Sequence, residues 1–405
     1  MHRSSADHHD TSLEICSHYQ YDLHVGDHLF ENELGKLTEH LASSDKMTSF
    51  LFGAGASAAV RVQGTSLIPA VAALTDQCER VVTSLGPRYE AAWEVLRPAG
   101  ATRRNIEQIL SNVRALRAID LQGQDFLGLT ELELQRLEAE IQSAIVAAVS
   151  PRNIPTGLPH DAFAKWVGRT SRTHPIEIFT TNYDVLIETA LEENRVPIFD
   201  GFVGSAMPYF YDASMRLNGP MAKLDWTRLW KMHGSIRWGL IQDRAGDSRV
   251  VRTDSEGSGE LILPSAQKYD ESRKQPYIAM LDRFRDVLNV QEDGILVAIG
   301  YSFSDQHINE VIFDALSHNP RLHLFALMYE DIEVASQLHQ VATRRRNIVA
   351  YGARNAVVGG VLANWTSKLD ADHPSSEFLS DAGQGVKSNL GDFATLGRLF
   401  DRISR

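Results

Sequence analysis

Cysteine is nearly missing from this chain: 405 residues hold two, Cys16 and Cys78. Two thiols exclude a disulfide framework and a four-thiolate zinc site, and with no signal peptide in view the expected compartment is a reducing cytoplasm. Long apolar runs are missing too, so no membrane span is expected. Basic charge is scarce, with 40 Lys and Arg against 52 Asp and Glu and a formal net charge of −12. That balance argues against a surface built for nucleic acid, because phosphate binding is driven by clustered Lys and Arg. The one compact basic run, Arg344, Arg345 and Arg346, reads as a solvated helix end or an ion-pair cluster. No internal repeat is visible.

What is present is length enough for roughly two to three domains. Residues 1–47 are polar, with His2, His8 and His9 near the start, and read as a tail leading into a helix. From Thr48 the run TSFLFGAGAS is an apolar strand, a glycine turn and a helix start. Residues 70–150 are helical in pattern: Ile106, Ile109, Leu110 and Val113 recur at i, i+3, i+4 and i+7, and Leu134, Leu137, Ile141 and Ile145 at i, i+3, i+7 and i+11. After the prolines of SPRNIP, strands and helices alternate. Strands are expected at Ile176–Thr180, Ile295–Ile299, His323–Met328 and Ile348–Tyr351, with helices starting near Val185 and Asp305. The expected fold class is α/β, a Rossmann-like parallel sheet with helices on both faces, built from 48–69 and 151–365 around an inserted helical module at 70–150. Residues 366–405 read as a polar linker and a short terminal helix.

In such sheets ligands sit beyond the carboxyl ends of the strands, beside helix N-termini that favour anionic phosphate. The first strand ends in GAGAS, where Gly53 and Gly55 remove Cβ atoms at a point of close approach and Ala54 and Ser57 keep the turn narrow. The second ends in TTNYD, whose Thr180, Thr181, Asn182 and Asp184 offer more polar groups than the single helix cap needs. A third ends in GYSFSD, with Gly300 and Ser302 at the turn and Ser304 or Asp305 as the cap. KMHGSIRWG carries His233 before Gly234; histidine is a proton carrier near neutrality and also an ordinary structural residue. Three strand ends of this kind favour a nucleotide cleft over three unrelated caps.

Taken in order, GAGAS, TTNYD, MHG and GYSFSD resemble the motifs of the sirtuin-like superfamily, and the forms of TTNYD and GYSFSD are most similar to bacterial sirtuin-like domains of antiphage defence. The resemblance implies an NAD site. In it Gly53, Ala54, Gly55 and Ser57 would cradle the pyrophosphate, and Asn182 would sit by the nicotinamide ribose and its attacking water. Asp184 would contact the carboxamide side, with Thr181 beside it where many deacylases carry glutamine. His233 would be the base, and Gly300, Ser302 and Asp305 would meet the adenosine half.

The chain departs from the protein deacylases of the superfamily: their four-cysteine zinc module cannot be built, and their GIPDFR-type segment is missing, with SLIPA at Ser66–Ala70 as its nearest counterpart. These losses fall on acyl-peptide binding and leave the NAD-facing groups. The resemblance therefore implies an NAD hydrolase without a metal, releasing nicotinamide and ADP-ribose and depleting NAD during infection. By the same resemblance, control is expected from self-assembly into a homo-oligomer and from a HerA-type hexameric ATPase partner. The alternatives are a zinc-free deacylase or ADP-ribosyltransferase, and a non-catalytic module that binds NAD or ADP-ribose.

Overall fold

Runs such as TSFLF, GILVAI and LHLFAL carry apolar side chains at consecutive positions, the pattern of strands covered on both faces. In the computed structural model they form the centre of a ten-stranded sheet. The structure describes residues 26–97, 105–118, 125–151, 153–216, 219, 225–242, 246–253, 276–381 and 385–404; His2, His8, His9, Cys16 and most of the expected N-terminal tail lie outside them. Numbered along the chain, the strands of this sheet are β1 (His28–Leu29), β2 (Met47–Phe52), β3 (Glu177–Thr180), β4 (Ile198–Phe199) and β5 (Thr227–Lys231), followed by β6 (Gly294–Ile299), β7 (Leu322–Leu327), β8 (Ile348–Tyr351), β9 (Asn355–Val358) and β10 (Val361–Thr366). Their spatial order is β1-β10-β9-β8-β7-β6-β2-β3-β5-β4. All neighbours pair in parallel except β8 with β9 and β9 with β10, which are antiparallel.

Helices cover both faces, and a short one, α2 (Ala54–Ala58), follows β2. On one side α1 (Phe30–Ala42), α7 (Pro159–Arg169), α8 (Leu186–Glu193) and α12 (Phe393–Ile403) bury residues such as Leu37, Phe163, Leu191 and Phe400 against the sheet. On the other, α9 (Tyr277–Leu288), α10 (Gln306–His318) and α11 (Gln337–Ala342) bury Phe284, Ile312 and Leu338. A third apolar cluster belongs to the insert: α3 (Val71–Ser84), α4 (Pro87–Leu96), α5 (Ile106–Ala118) and α6 (Glu131–Val149). All eight periodic positions named above are buried there. This cluster also takes in Tyr183, Leu186 and Ile236 from the sheet domain, so the insert packs directly on the β3–α8 turn.

The structure differs from the expectation of a polar linker at 366–391. Phe378 and Leu390 are buried, a short 3-10 helix spans Pro374–Phe378, and Leu379–Asp381 pairs with Val386–Ser388. Few apolar residues mark this stretch, but the ones present are spent on the core beside α12. A buried cluster sits at the amino end of β3: Glu177 accepts hydrogen bonds from Arg228, Trp230 and Arg283, so the charges on β5 and α9 are paired inside the protein.

The sheet changes direction between β2 and β6: from β2 the chain builds outward through β3, and from β6 through β7 and β8. Register sets Ile299, Phe52, Thr180 and Lys231 side by side at the carboxyl ends of four adjacent strands. The turns that leave β2 and β6 pack backbone on backbone. A Cβ on Gly53 would lie 2.5 Å from the Gly300 carbonyl oxygen and 2.7 Å from Tyr301 Cα, and Gly55 N–H donates to the Gly300 carbonyl at 2.9 Å. Gly300 adopts φ +62° and has Ala56 N only 2.2 Å from where its own Cβ would be. The close approach read from GAGAS is therefore met first by the neighbouring turn.

Gly53→Ala is expected to cost about 1–3 kcal/mol or more, since backbone rather than a flexible side chain must move. Gly35→Ala is the control: Gly35 lies inside α1 with nothing within 4 Å of a new Cβ, and should stabilise by roughly 0.5–1 kcal/mol. Chemical denaturation of both variants checks this; equal, small effects would contradict the turn packing.

Candidate active site

Beyond the aligned strand ends, TTNYD runs from β3 into α8. Thr180 Oγ1 accepts from Asn182 N at 3.0 Å, and Asp184 Oδ1 accepts from Leu186 N at 3.0 Å. One carboxylate oxygen of Asp184 thus serves the start of α8 in the way a cap does. Its other oxygen, Oδ2, accepts from Ser57 Oγ at 2.7 Å. Asn182 Nδ2 in turn donates to Ser57 Oγ at 2.9 Å and to the Gly53 carbonyl at 3.1 Å. Ser57, Asn182 and Asp184 are all buried, so GAGAS and TTNYD are tied by a closed polar chain.

That chain leaves one atom over. With Nδ2 directed at a carbonyl oxygen, Asn182 Oδ1 points elsewhere, and it is buried without a hydrogen-bond partner among the described residues. A buried acceptor of this kind costs roughly 1–3 kcal/mol and calls for a donor. Below the turn, Lys231 at the end of β5 donates to the Asp184 carbonyl and lies 2.8 Å from Glu188 Oε1. Burial pushes the Glu188 carboxyl above its usual range, and the Lys231 ammonium opposes that.

His233 follows β5 in a turn that needs Gly234 at φ +94°. Its ring is buried and held at both nitrogens: Nδ1 lies 3.2 Å from Glu107 Oε1 and Nε2 lies 3.1 Å from Asp305 Oδ2. Burial works against charge on the ring, but the Glu107 and Asp305 carboxylates outweigh it and lift the pKa to about 10. Both carboxyls are held below their ordinary values, because burial, which would raise them, is outweighed by the His233 imidazolium. His233 is therefore an imidazolium at neutral pH, donating from both nitrogens, and the trio carries one excess negative charge.

Asp305 caps α10 through Ile308 N at 3.1 Å, and the chain reaches it through Phe303, a bulky residue at φ +53°. Such backbone strain is tolerated where the surroundings hold it. Here Asn309 Nδ2 grips the Phe303 carbonyl at 2.8 Å, and Tyr301 donates to Asn309 Oδ1 at 2.9 Å. Ser302 is exposed, with its Oγ 2.9 Å from Ser304 Oγ.

The expected site residues thus fall into two groups. Gly53, Ser57, Asn182 and Asp184 form one hydrogen-bonded unit, with Ala54, Gly55 and Gly300 in the packed turns and Thr181 between β3 and Asn182. His233 and Asp305 form the other, so Asp305, expected near an adenosine, lies against the histidine. Sequence reasoning missed Glu107 and Tyr183. Tyr183 stands between Asn182 and Asp184 and donates to the same Glu107 oxygen at 2.7 Å, which links the two groups. The signal that was available is the placement of Glu107 in the first turn of α5, where a carboxylate is favoured by the helix dipole. Among the described residues, no cluster of three or more His, Cys, Asp or Glu is arranged to hold a metal ion, and no helix is long and apolar enough to cross a membrane.

Residues 176–352 match the family model described as the SIR2-like domain. That span begins one residue before β3 and ends one residue past β8, and it contains TTNYD, MHG and GYSFSD. Among solved structures, a chain from work on the "Structural Basis for the Mechanism and Regulation of Sir2 Enzymes" is similar at 13% identity with a TM-score of 0.34, covering 75% of this chain and 88% of that one. No curated protein matches. Residues 176–352 are thus similar to the SIR2-like domain, and the chain has a mixed α/β fold with a mainly parallel sheet.

The buried imidazolium has a pH signature. Its pKa is near 10 folded and about 6.5 unfolded. The folded state therefore holds the proton more tightly, and the stability gained is full below about pH 6.5 and lost as pH rises through about 10. The melting-temperature gap between wild type and His233→Ala should accordingly narrow from pH 7 to pH 10. A gap that is constant or widens would show that the ring is not held charged.

Proposed function

We propose that the chain is an NAD hydrolase that releases nicotinamide and ADP-ribose. The observation that carries this reading is the buried Asn182 Oδ1, without a partner among the described residues and oriented by the bonds of Nδ2 to Ser57 and the Gly53 carbonyl, at the point where the sheet changes direction. Ligands of open α/β sheets bind at such a point, and the similarity of residues 176–352 to the SIR2-like domain supports the reading. The residues fit the ligand: Asn182 Oδ1 is an acceptor for a hydroxyl or a water, and the turns at Gly53 and Gly300 keep side chains away from the strand ends.

When bound, NAD supplies a glycosidic carbon–nitrogen bond that breaks with its electron pair going to neutral nicotinamide, while a water oxygen bonds to the ribose carbon and releases one proton. The chain's own groups meet each need. Asn182 orients the hydroxyl or water that donates to Oδ1, and Ser57 and Asp184 keep its amide from turning. Glu107 and Asp305, with one negative charge in excess over the buried His233, favour positive charge nearby. His233 serves as the base in its neutral form, after Nε2 has lost its proton to solvent, and Nε2 then takes the proton that the water releases.

The antiphage role, a homo-oligomeric assembly, control by a HerA-type ATPase and a cytoplasmic setting belong to the same proposal. They rest on the resemblance of the motifs. Unrestrained NAD cleavage would harm the host, which is why control from outside the chain goes with this activity.

Asn182→Ala and His233→Ala are each expected to lower nicotinamide release by about 10²–10⁴-fold, the usual share of a positioned group in proton transfer and orientation. Liquid chromatography of purified protein with NAD, alone and with the partner ATPase, measures it. Release that requires an acylated peptide would point to deacylation and overturn the proposal.

A further inference from the structure

The insert is not a bystander to this site. Glu107 belongs to α5, far along the chain from both groups it touches, 126 residues before His233 and 76 before Tyr183. Its helix is fixed at the start: Asn105 Oδ1 accepts from Glu107 N at 2.9 Å, and Ile106 N donates to Thr75 Oγ1 at 3.0 Å on α3. Ile106, Ile109, Leu110 and Val113 then lock α5 into the apolar cluster of the insert. The carboxylate is thereby held by the fold.

We infer that Glu107 is a positioning residue of the active site, holding His233 through Nδ1 so that Nε2 is the nitrogen presented at the strand ends. The inference rests on the reading of His233 as the base. The two carboxylates at the ring are not equivalent. Asp305 stands in the loop that leaves β6, on the carboxyl side of the sheet, where a substrate hydroxyl would compete for Nε2. Glu107 comes from the insert and shares its oxygen with the buried Tyr183 hydroxyl.

A carboxylate at Nδ1 fixes the tautomer and the ring plane and strengthens the opposite nitrogen as a base, as second partners of functional histidines do. It also stabilises the imidazolium that forms when Nε2 takes a proton. No group is oxidised or reduced: one proton moves to Nε2 and later leaves to solvent. Among the described residues, the titratable groups facing the ring are Glu107 from α5, Asp305 at the start of α10, Tyr183 after β3 and Tyr277 at the start of α9, whose rings lie 6.4 Å from that of His233. The two tyrosines are neutral at ordinary pH, because burial raises both hydroxyls. Glu107 and Asp305 therefore set the charge state of the ring.

Glu107→Gln tests this in the full chain, since glutamine retains an acceptor for the Tyr183 hydroxyl and removes only the charge. The first readout is independent of turnover: the His233 ring titration followed by nuclear magnetic resonance with labelled histidine, assigned by the signal lost in His233→Ala. Glu107→Gln should move the midpoint down by about 1–3 pH units, the usual effect of one adjacent opposite charge, while Tyr183→Phe, which keeps the carboxylate, leaves it close to wild type. The second readout is nicotinamide release against pH. Glu107→Gln should shift its rising limb in the same direction and lower kcat by about 10- to 100-fold, a part of what general acid–base catalysis contributes, with KM little changed; Glu107→Asp should recover part of the loss.

An unmoved midpoint in Glu107→Gln overturns the inference whatever the turnover. A moved midpoint with unchanged kcat and pH profile also overturns it, leaving Glu107 a structural contact. Full turnover in His233→Ala would instead remove the reading of His233 as the base, and the positioning role with it.

Discussion

The contact on which this structure most depends is the meeting of two turns without side chains. At the centre of the sheet the chain leaves β2 at Gly53 and β6 at Gly300, and the two backbones approach so closely that neither position accepts a Cβ. The Gly53 carbonyl is then at hand for the Asn182 amide, and the β6 turn runs on to deliver Asp305 to His233. Filling either position would separate two loops whose polar groups act together.

Around that contact the site is organised by pairing rather than by exposure. Each nitrogen of the His233 ring meets a carboxylate, Lys231 meets Glu188, and Ser57 lies between Asn182 and Asp184. Leaving one buried partner alone is costly, and of the groups just named only Asn182 Oδ1 and Glu188 Oε2 are buried without a partner among the described residues. Asn182 Oδ1 is an exception at the strand ends, and its position makes it informative. The insert joins this pairing through Glu107 and Tyr183, so an element that reads as a separate helical module completes the setting of the histidine.

Much of the framework was legible because its signals are local. Apolar runs ending in glycine or small polar residues mark β2, β3 and β6, and the motifs GAGAS, TTNYD, MHG and GYSFSD land at adjacent strand ends. The strand β5 was harder to see, since Arg228 and Lys231 interrupt its apolar pattern; their partners Glu177 and Glu188 lie 51 and 43 residues away. Glu107 is one acidic position on an amphipathic helix, with no motif around it, and only the fold brings it to His233. The stretch 366–391 looked like a linker because its buried residues, Phe378 and Leu390 among them, are sparse and show no period. Local pattern reveals elements, whereas contacts between distant polar residues decide what the elements do.

The central claim is that these strand ends deliver a water molecule to the ribose carbon of NAD. The most direct test is to incubate the purified protein, alone and with the proposed HerA-type ATPase, with NAD in ¹⁸O-enriched water and to analyse the products by mass spectrometry. The account predicts nicotinamide and ADP-ribose in equal amounts, with one heavy oxygen bonded to the ribose carbon that held nicotinamide at the moment of cleavage. NAD recovered intact under both conditions, or an ADP-ribosyl group transferred to protein or peptide in place of water, would contradict it.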